Sequence, residues 1–289
     1  MATFTQWIKG ARPHTFAHAA APIFIGTGAA AWAGSFLWWK TLLLLVLSVS
    51  FTIGVNYAND YSDGIRGADN FRIDSIRLVG SRLTRPNAVL VIAILIMAIC
   101  SINGFIIVLI TSPIIGVIGL VCIFALWFYT GGNKPYGYQG YGEIVVFIFF
   151  GLVGTLGTQY IQSLHIDWVG LVIATVTGLL SAAVLTINNL RDIFNDSYIG
   201  KNTLAVKFGD TRTRILYQAI ISAVLVISAL IIITTKWYML VWFSLFNETK
   251  SVKLVRSGSI ETKLNKALLS TELTILVWSI ITSLNLFLA

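Results

Sequence analysis

The sequence predicts an all-α, polytopic membrane protein of nine transmembrane helices. Three observations carry that prediction. Only 11% of the 289 residues are charged, against roughly 25% in a soluble domain, and the mean hydropathy is +0.82. The apolar runs are long and continuous, unlike the alternating strands of an outer-membrane barrel or the polar composition of a disordered chain. The basic residues fall almost entirely on one side of the predicted spans.

A spanning helix needs about 20 apolar residues. With that window the spans are 15–34, 41–59, 87–110, 113–130, 143–163, 168–190, 215–234, 236–247 and 267–288. The first follows Lys9 and Arg12 and runs straight into further spans without a cleavage site, so it reads as a helix and not a signal peptide. Trp38, Trp39, Trp127, Trp168, Trp237 and Tyr238 stand near span ends, where aromatic belts form. The eighth span is the shortest.

Orientation follows from the loops. Lys9 and Arg12 precede span 1. Arg66, Arg72, Arg77, Arg82 and Arg85 lie in loop 2–3, and Lys134 in loop 4–5. Loop 6–7 holds Arg191, Lys201, Lys207, Arg212 and Arg214. Loop 8–9 holds Lys250, Lys253, Arg256, Lys263 and Lys266. The opposite side has Lys40 and Lys236 alone. This split places the N-terminus and the long loops in the cytoplasm of a plasma-membrane protein. The net charge of +8 then reports orientation and contact with anionic lipid, not nucleic acid; no obligatory protein partner is evident. Residues 247–266 read as a basic surface segment at the headgroups. Cys100 and Cys122 sit inside apolar runs with no CxxC spacing, and His14, His18 and His165 show no metal spacing.

Loops 2–3 and 6–7 are long and carry most of the acids, so the chemistry is expected on the cytoplasmic face. At the end of span 2, Asn56, Asp60 and Asp63 lie at i, i+4 and i+7, which puts their oxygens on one helical face. At the end of span 6, Asn188, Asp192 and Asp196 lie at i, i+4 and i+8. The matched placement suggests a weak internal repeat. One domain over 1–289 would comprise two four-helix halves, about 1–130 and 131–247, plus a last helix at about 267–288. Carboxylate and amide oxygens suit Mg²⁺, which is held by one or two carboxylates plus phosphate oxygens and water. Two such clusters suit two ions and a diphosphate, with Arg66, Arg72, Arg77, Lys134, Arg191 and Lys201 near in sequence to neutralise remaining charge. Solvated loop acids paired with local arginines, and a cation-coupled transporter, are the competing readings; against the transporter, the acids sit at span ends and not at the midplane.

At these residues the chain resembles the UbiA superfamily of intramembrane aromatic prenyltransferases, and within it the MenA branch, whose acceptor is 1,4-dihydroxy-2-naphthoate. The first aspartate motif of that superfamily is matched by Asn56-x-x-x-Asp60-x-x-Asp63 and the second by Asp192-x-x-x-Asp196, followed by S-Y-I-G-K-N-T-L-A-V-K-F-G. The A-R-P-H-T stretch at 11–15 and Y-T-G-G-N-K-P-Y-G-Y at 129–138, followed by G-E-I-V-V-F-I-F-F-G, are similar to the MenA branch. The resemblance runs to about residue 215. The chain departs from the pattern at Asp74-Ser75, where a Gly-Pro pair is usual, at Phe16 in place of Leu, and at Gly67 in place of a further Asp.

The resemblance implies nine helices around a central cavity, open sideways to lipid. It implies a Mg²⁺-dependent enzyme that joins a polyprenyl diphosphate to 1,4-dihydroxy-2-naphthoate, with loss of carbon dioxide, to give demethylmenaquinone. A superfamily member using another aromatic acceptor such as 4-hydroxybenzoate is the alternative. The expected metal ligands are Asn56, Asp60 and Asp63 for one ion and Asp192 and Asp196 for a second, with Asn188 assisting. Arg12, Arg66 and Arg77 are expected on the substrate's phosphates, and Lys134 on its diphosphate or carboxylate. Tyr129, Tyr136 and Tyr138 are expected to line the acceptor site.

Overall fold

A computed structural model of the chain describes residues 2–67, 77–132, 135–230, 245–258 and 262–289, the side chains of Thr130, Asn247 and Thr262 excepted. The described residues are helical and irregular, with no strand among them. The helices are α1 (Phe4–Gly10), α2 (Phe16–Trp32), α3 (Trp38–Ile65), α4 (Pro86–Ile110), α5 (Pro113–Thr130), α6 (Gly142–Ser163), α7 (Trp168–Arg191), α8 (Ile193–Tyr198), α9 (Leu204–Ser228), α10 (Asn247–Arg256) and α11 (Thr262–Leu288). Trp38–Ile65, Pro86–Ile110, Gly142–Ser163, Trp168–Arg191 and Lys263–Leu288 are long and apolar enough to cross a membrane. Predicted spans 2, 3, 5, 6 and 9 fall on these five, and spans 1, 4 and 7 on α2, α5 and α9; residues 231–234 of span 7 and most of span 8, with Trp237 and Tyr238, lie outside the described residues.

The helix boundaries have local causes. Pro86 and Pro113 open α4 and α5, where a missing N–H costs nothing. Asp167 and Thr203 cap α7 and α9, accepting from the Gly170 amide at 2.8 Å and the Val206 amide at 3.4 Å. Helix α9 starts well before the predicted span because Thr203 nucleates a polar turn, and it kinks at Gly209, whose φ of 76° is left-handed.

The chain divides into two compact units, Met1–Phe16 with Leu45–Tyr138, and Ala17–Leu44 with Gln139–Ala289. In the first, the core gathers Ala11, Tyr57, Ala58, Leu78, Val79, Val89 and Ala93. Helix α4 buries one narrow stripe, Val89, Ala93, Cys100 and Ile107, with Ile92 and Ile96 partly buried beside it, while side chains such as Ile94, Ile99, Ile102, Phe105 and Leu109 are exposed for lipid.

In the second unit, α7 is the central element: 72% of its apolar window is buried, against 17% for α4 within its own unit. Helix α6 lies against α7 with Gly151 meeting Gly178; a Cβ on either would stand under 3 Å from the other helix, so both positions require a bare backbone. The middle of α6, Phe147–Leu156, is wound as a π-helix, a form often found at functional sites. Beyond it, the Gln162 amide donates to Thr27 Oγ1 and Thr41 Oγ1 at 3.0 Å, and Lys40 Nζ donates to the Ile161 carbonyl at 2.6 Å. Residues 247–256, expected at the headgroups, form α10, which buries Glu248, Ser251 and Val255 along one face. Glu248 Oε2 accepts from the Tyr217 hydroxyl at 2.7 Å and from Thr271 Oγ1 at 3.1 Å.

Candidate active site

Helix α3 continues past its apolar stretch to Ile65, so Asn56, Asp60 and Asp63 share one helical face as predicted. All three are buried. Asp60 Oδ2 accepts from the Leu78 amide at 2.7 Å and Oδ1 from the Val79 amide at 3.1 Å. Those amides begin a single helical turn, closed by Ser81 N–H to the Arg77 carbonyl and by Arg82 in the left-handed region. The first N–H groups of a turn have no partner within it, and Asp60 takes two of them.

Asn56 ties the N-terminal segment to the same helix. Its Nδ2 donates to the Ala11 carbonyl at 2.9 Å and to Thr15 Oγ1 at 3.1 Å, which leaves Oδ1 as the candidate ligand atom. Tyr57 adds a hydrogen bond from its hydroxyl to the Trp7 carbonyl at 2.8 Å. Arg12 stands between these anchors in the left-handed region, φ 55°, a conformation that costs about 1–2 kcal/mol in a non-glycine residue. Its charge is within electrostatic reach of Asp60.

Asp63 Oδ1 accepts from the Tyr138 hydroxyl at 2.8 Å. Arg66 lies over the Tyr138 ring at 5.8 Å and donates to the Gly132 carbonyl. Tyr129 and Tyr136 meet edge to face at 5.5 Å, and the Tyr136 hydroxyl donates to the Ala125 carbonyl at 2.5 Å. Burial, with Cys122 nearby, pushes the Tyr136 phenol up to about 12, so it stays a neutral donor. Arg77 is buried in this unit. Lys134, Arg72, Asp69 and Asp74 lie outside the described residues.

The second face is built differently. Helix α7 ends at Arg191, and Asp192 at φ −91°, ψ 7° separates it from α8. Two hydrogen bonds cross this break, Asp192 N–H to the Asn188 carbonyl at 3.1 Å and Asp196 N–H to the Asp192 carbonyl at 2.8 Å. The predicted continuous helix is therefore two helices in succession. Arg191 grips Asp192 through Nε at 2.7 Å and Nη2 at 3.0 Å; the same Nη2 donates to Asn188 Oδ1, and Nη1 to Asn265 Oδ1, each at 2.9 Å.

Asp196 is buried, with the Lys201 ammonium 3.5 Å from its Oδ1. Gly200, at φ 74°, turns the chain back after α8, and the Lys201 N–H closes on the Asp196 carbonyl at 2.8 Å. This is the glycine-terminated end common in helices, and it sets Lys201 beside Asp196.

The sequence reading assigned no role to Glu143 or Asn189. Both are buried, and Asn189 Nδ2 donates to Glu143 Oε1 at 2.9 Å. Glu143 is also within electrostatic reach of Lys201. An acid opening an otherwise apolar span is the one signal in the sequence that could have found it.

Among the described residues no three His, Cys, Asp or Glu side chains converge to cage a metal. A face of one or two carboxylates with an amide oxygen fits an ion whose other ligands are substrate phosphate and water, as Mg²⁺ prefers. Buried acids at the ends of apolar helices define a membrane protein with polar chemistry at a membrane edge.

The chain belongs to the UbiA prenyltransferase family, which matches residues 19–248. It is 49% identical over 280 residues to a 1,4-dihydroxy-2-naphthoate octaprenyltransferase of Mycobacterium leprae (strain TN), covering 97% of this chain and 95% of that one. It is 36% identical over 232 residues to the enzyme of the same name from Escherichia coli (strain K12), covering 78% and 75%. A UbiA homolog from Archaeoglobus fulgidus, solved bound to GPP and Mg²⁺, shares the fold with a TM-score of 0.72 at 14% identity, over 98% of this chain and 100% of that one.

Proposed function

We propose that this protein transfers a polyprenyl group from polyprenyl diphosphate to 1,4-dihydroxy-2-naphthoate, with loss of carbon dioxide, in menaquinone biosynthesis. The observation that carries the reading is near-full-length similarity to the octaprenyltransferase of Mycobacterium leprae. The geometry of the two acidic faces agrees with it. The donor's C1–O bond breaks and its electrons leave with the diphosphate. The naphthoate carbon bearing the carboxylate forms the new C–C bond. The carboxylate then leaves as carbon dioxide, and its bonding pair restores the aromatic ring. The product is demethylmenaquinone in its quinol form.

Bound Mg²⁺ supplies charge neutralisation for the departing diphosphate. Asn56, Asp60 and Asp63 hold one ion, and Asp192 and Asp196 with Asn188 hold a second. Arg12, Arg66, Arg77 and Lys134 bind phosphate oxygens. Tyr129 and Tyr136 form an aromatic wall for the acceptor, and Tyr138 orients Asp63. The apolar helices keep water from the allylic cation. The chain acts as one transferase domain in which two halves, about 1–130 and 131–247, each contribute an acidic face and 267–288 adds the last helix. The cationic loops support a cytoplasmic side for these faces, in the plasma membrane.

A membrane assay with radiolabelled polyprenyl diphosphate tests the reading. Dihydroxynaphthoate and 4-hydroxybenzoate are offered side by side, with Mg²⁺ or with EDTA. The expected product is demethylmenaquinone, formed with Mg²⁺ alone. Product from hydroxybenzoate only would overturn the acceptor, and EDTA-resistant transfer would overturn the metal.

A further inference from the structure

We infer that the two acidic faces load their divalent ions in sequence: the first takes its ion unaided, and the second only together with the diphosphate, because Arg191 and Lys201 guard it. The inference rests on the metal assignments proposed above and concerns what already holds the ligand oxygens.

On the first face the holders are neutral. Two backbone amides take Asp60, and the Tyr138 hydroxyl takes one oxygen of Asp63. Arg12 adds its charge near Asp60, but the hydrogen bonds on Asp60 and Asp63 come from neutral donors, so an incoming cation finds lone-pair capacity on these oxygens without first breaking a hydrogen bond to a charged donor.

On the second face the holders are cations. Arg191 spans both oxygens of Asp192 and the Asn188 amide oxygen, and a further arm on Asn265 fixes the guanidinium. The Lys201 ammonium stands at Asp196. A divalent ion entering here must move two side-chain cations off the same oxygens, and it meets their positive charge while doing so. The diphosphate reverses that balance by giving both displaced cations phosphate oxygens to bind.

Glu143 completes the device. It is 6% exposed, Asn189 fixes its Oε1, and its Oε2 has no hydrogen-bond partner among the described residues. Lys201 is the cation within its electrostatic reach. Glu143 is thus a positioning residue, a second seat for the Lys201 ammonium when Asp196 turns to a metal. The buried carboxylate would otherwise carry an uncompensated charge.

The test is Mn²⁺ titration of the full-length, EDTA-washed protein in nanodiscs, followed by the EPR signal of free Mn²⁺, without donor and then with geranyl S-thiolodiphosphate. The wild-type protein should bind one ion tightly without donor and a second with it. Asp60→Asn should remove the donor-independent event, and Asp196→Asn only the donor-dependent one. Lys201→Met should tighten donor-free binding at the second face by about tenfold, the change that about 1.4 kcal/mol of relieved competition produces. Glu143→Gln, which keeps an acceptor for Asn189, should move that affinity the opposite way, because Lys201 loses its second seat.

Two equally tight ions without donor would overturn the sequence of loading and leave the proposed reaction standing. Unchanged second-site affinity in both Lys201→Met and Glu143→Gln would overturn the guard. Absence of any Mn²⁺ binding sensitive to Asp60→Asn or Asp196→Asn would sink the metal assignments and this inference with them. Demethylmenaquinone formation, assayed separately on the same preparations, tests the reaction itself.

Discussion

The two acidic faces carry similar residues at similar spacings, yet the chain secures them by opposite means. Asp60 is locked by backbone amides and Asp63 by a phenol. Asp192 and Asp196 are matched against Arg191 and Lys201. Sequence spacing brings such oxygens onto one helical face but does not determine what else binds them. A carboxylate that caps a turn is part of the scaffold as well as of the site. A carboxylate held by a neighbouring arginine belongs to the site alone, and that partner must move before another cation binds.

The largest test of this contrast is removal of the acids. Asp60→Ala and Asp192→Ala should each abolish measurable transfer, a loss of at least about 10²-fold. Only Asp60→Ala should also lower thermal stability strongly, by roughly 2–3 kcal/mol, since it strands two buried N–H groups. Equal destabilisation, read from unfolding in detergent, would break the distinction.

Next in size is Arg191→Met. It removes the clamp on Asn188 and Asp192 and the guanidinium that the diphosphate would engage once the ion is bound, so transfer should fall about tenfold at saturating Mg²⁺. Wild-type rates would show that the clamp is incidental.

Tyr138→Phe is a smaller change. It deletes one hydrogen bond to Asp63, worth about 1 kcal/mol, and should reduce activity about fivefold with the acceptor KM unchanged. A large rise in acceptor KM would instead make Tyr138 part of the acceptor wall.

The smallest effect concerns Glu248, far in sequence from either face. Burial raises its carboxyl above the ordinary glutamate range, so the folded chain holds this proton more tightly than the unfolded chain. The stability it contributes is complete below the ordinary range and is lost as pH rises through the raised value. The Tm of Glu248→Gln relative to wild type should therefore rise as pH increases. A pH-independent difference would show that the hydrogen bonds to Tyr217 and Thr271 alone account for this residue.

Hydropathy located the helices well because Pro86, Pro113 and Asp167 punctuate them and lipid requires long apolar runs. It misjudged ends where polarity is buried. The predicted span 2 stops at 59, while α3 runs to Ile65 because Asp60 and Asp63 face inward to donors from distant segments. The predicted span 7 begins at 215, while Thr203 starts α9 earlier. The acidic faces were legible because four-residue spacing carries helical geometry, within α3 for the first and across the break at Asp192 for the second. The Glu143–Asn189 pair was not, since the partners are 46 residues apart and no local spacing links them. The amides of Leu78 and Val79 were equally invisible, because backbone donors leave no signature in side-chain identity.

The π-wound middle of α6 makes that helix a phase adjuster. At about 100° per residue, one residue more or less between its ends turns one end by more than a quarter circle relative to the other. Glu143 at the start is engaged with Asn189, and Gln162 near the end is engaged with Thr27 and Thr41. Both appointments are kept by a single rod because its wide turns absorb the angular mismatch between them. Deleting one residue from Phe147–Leu156 would let the rod relax to ordinary winding while both ends keep nearly the same facing. A residue gained or lost within this stretch is thus taken up as a change of winding, with neither end of the helix turned from its partners.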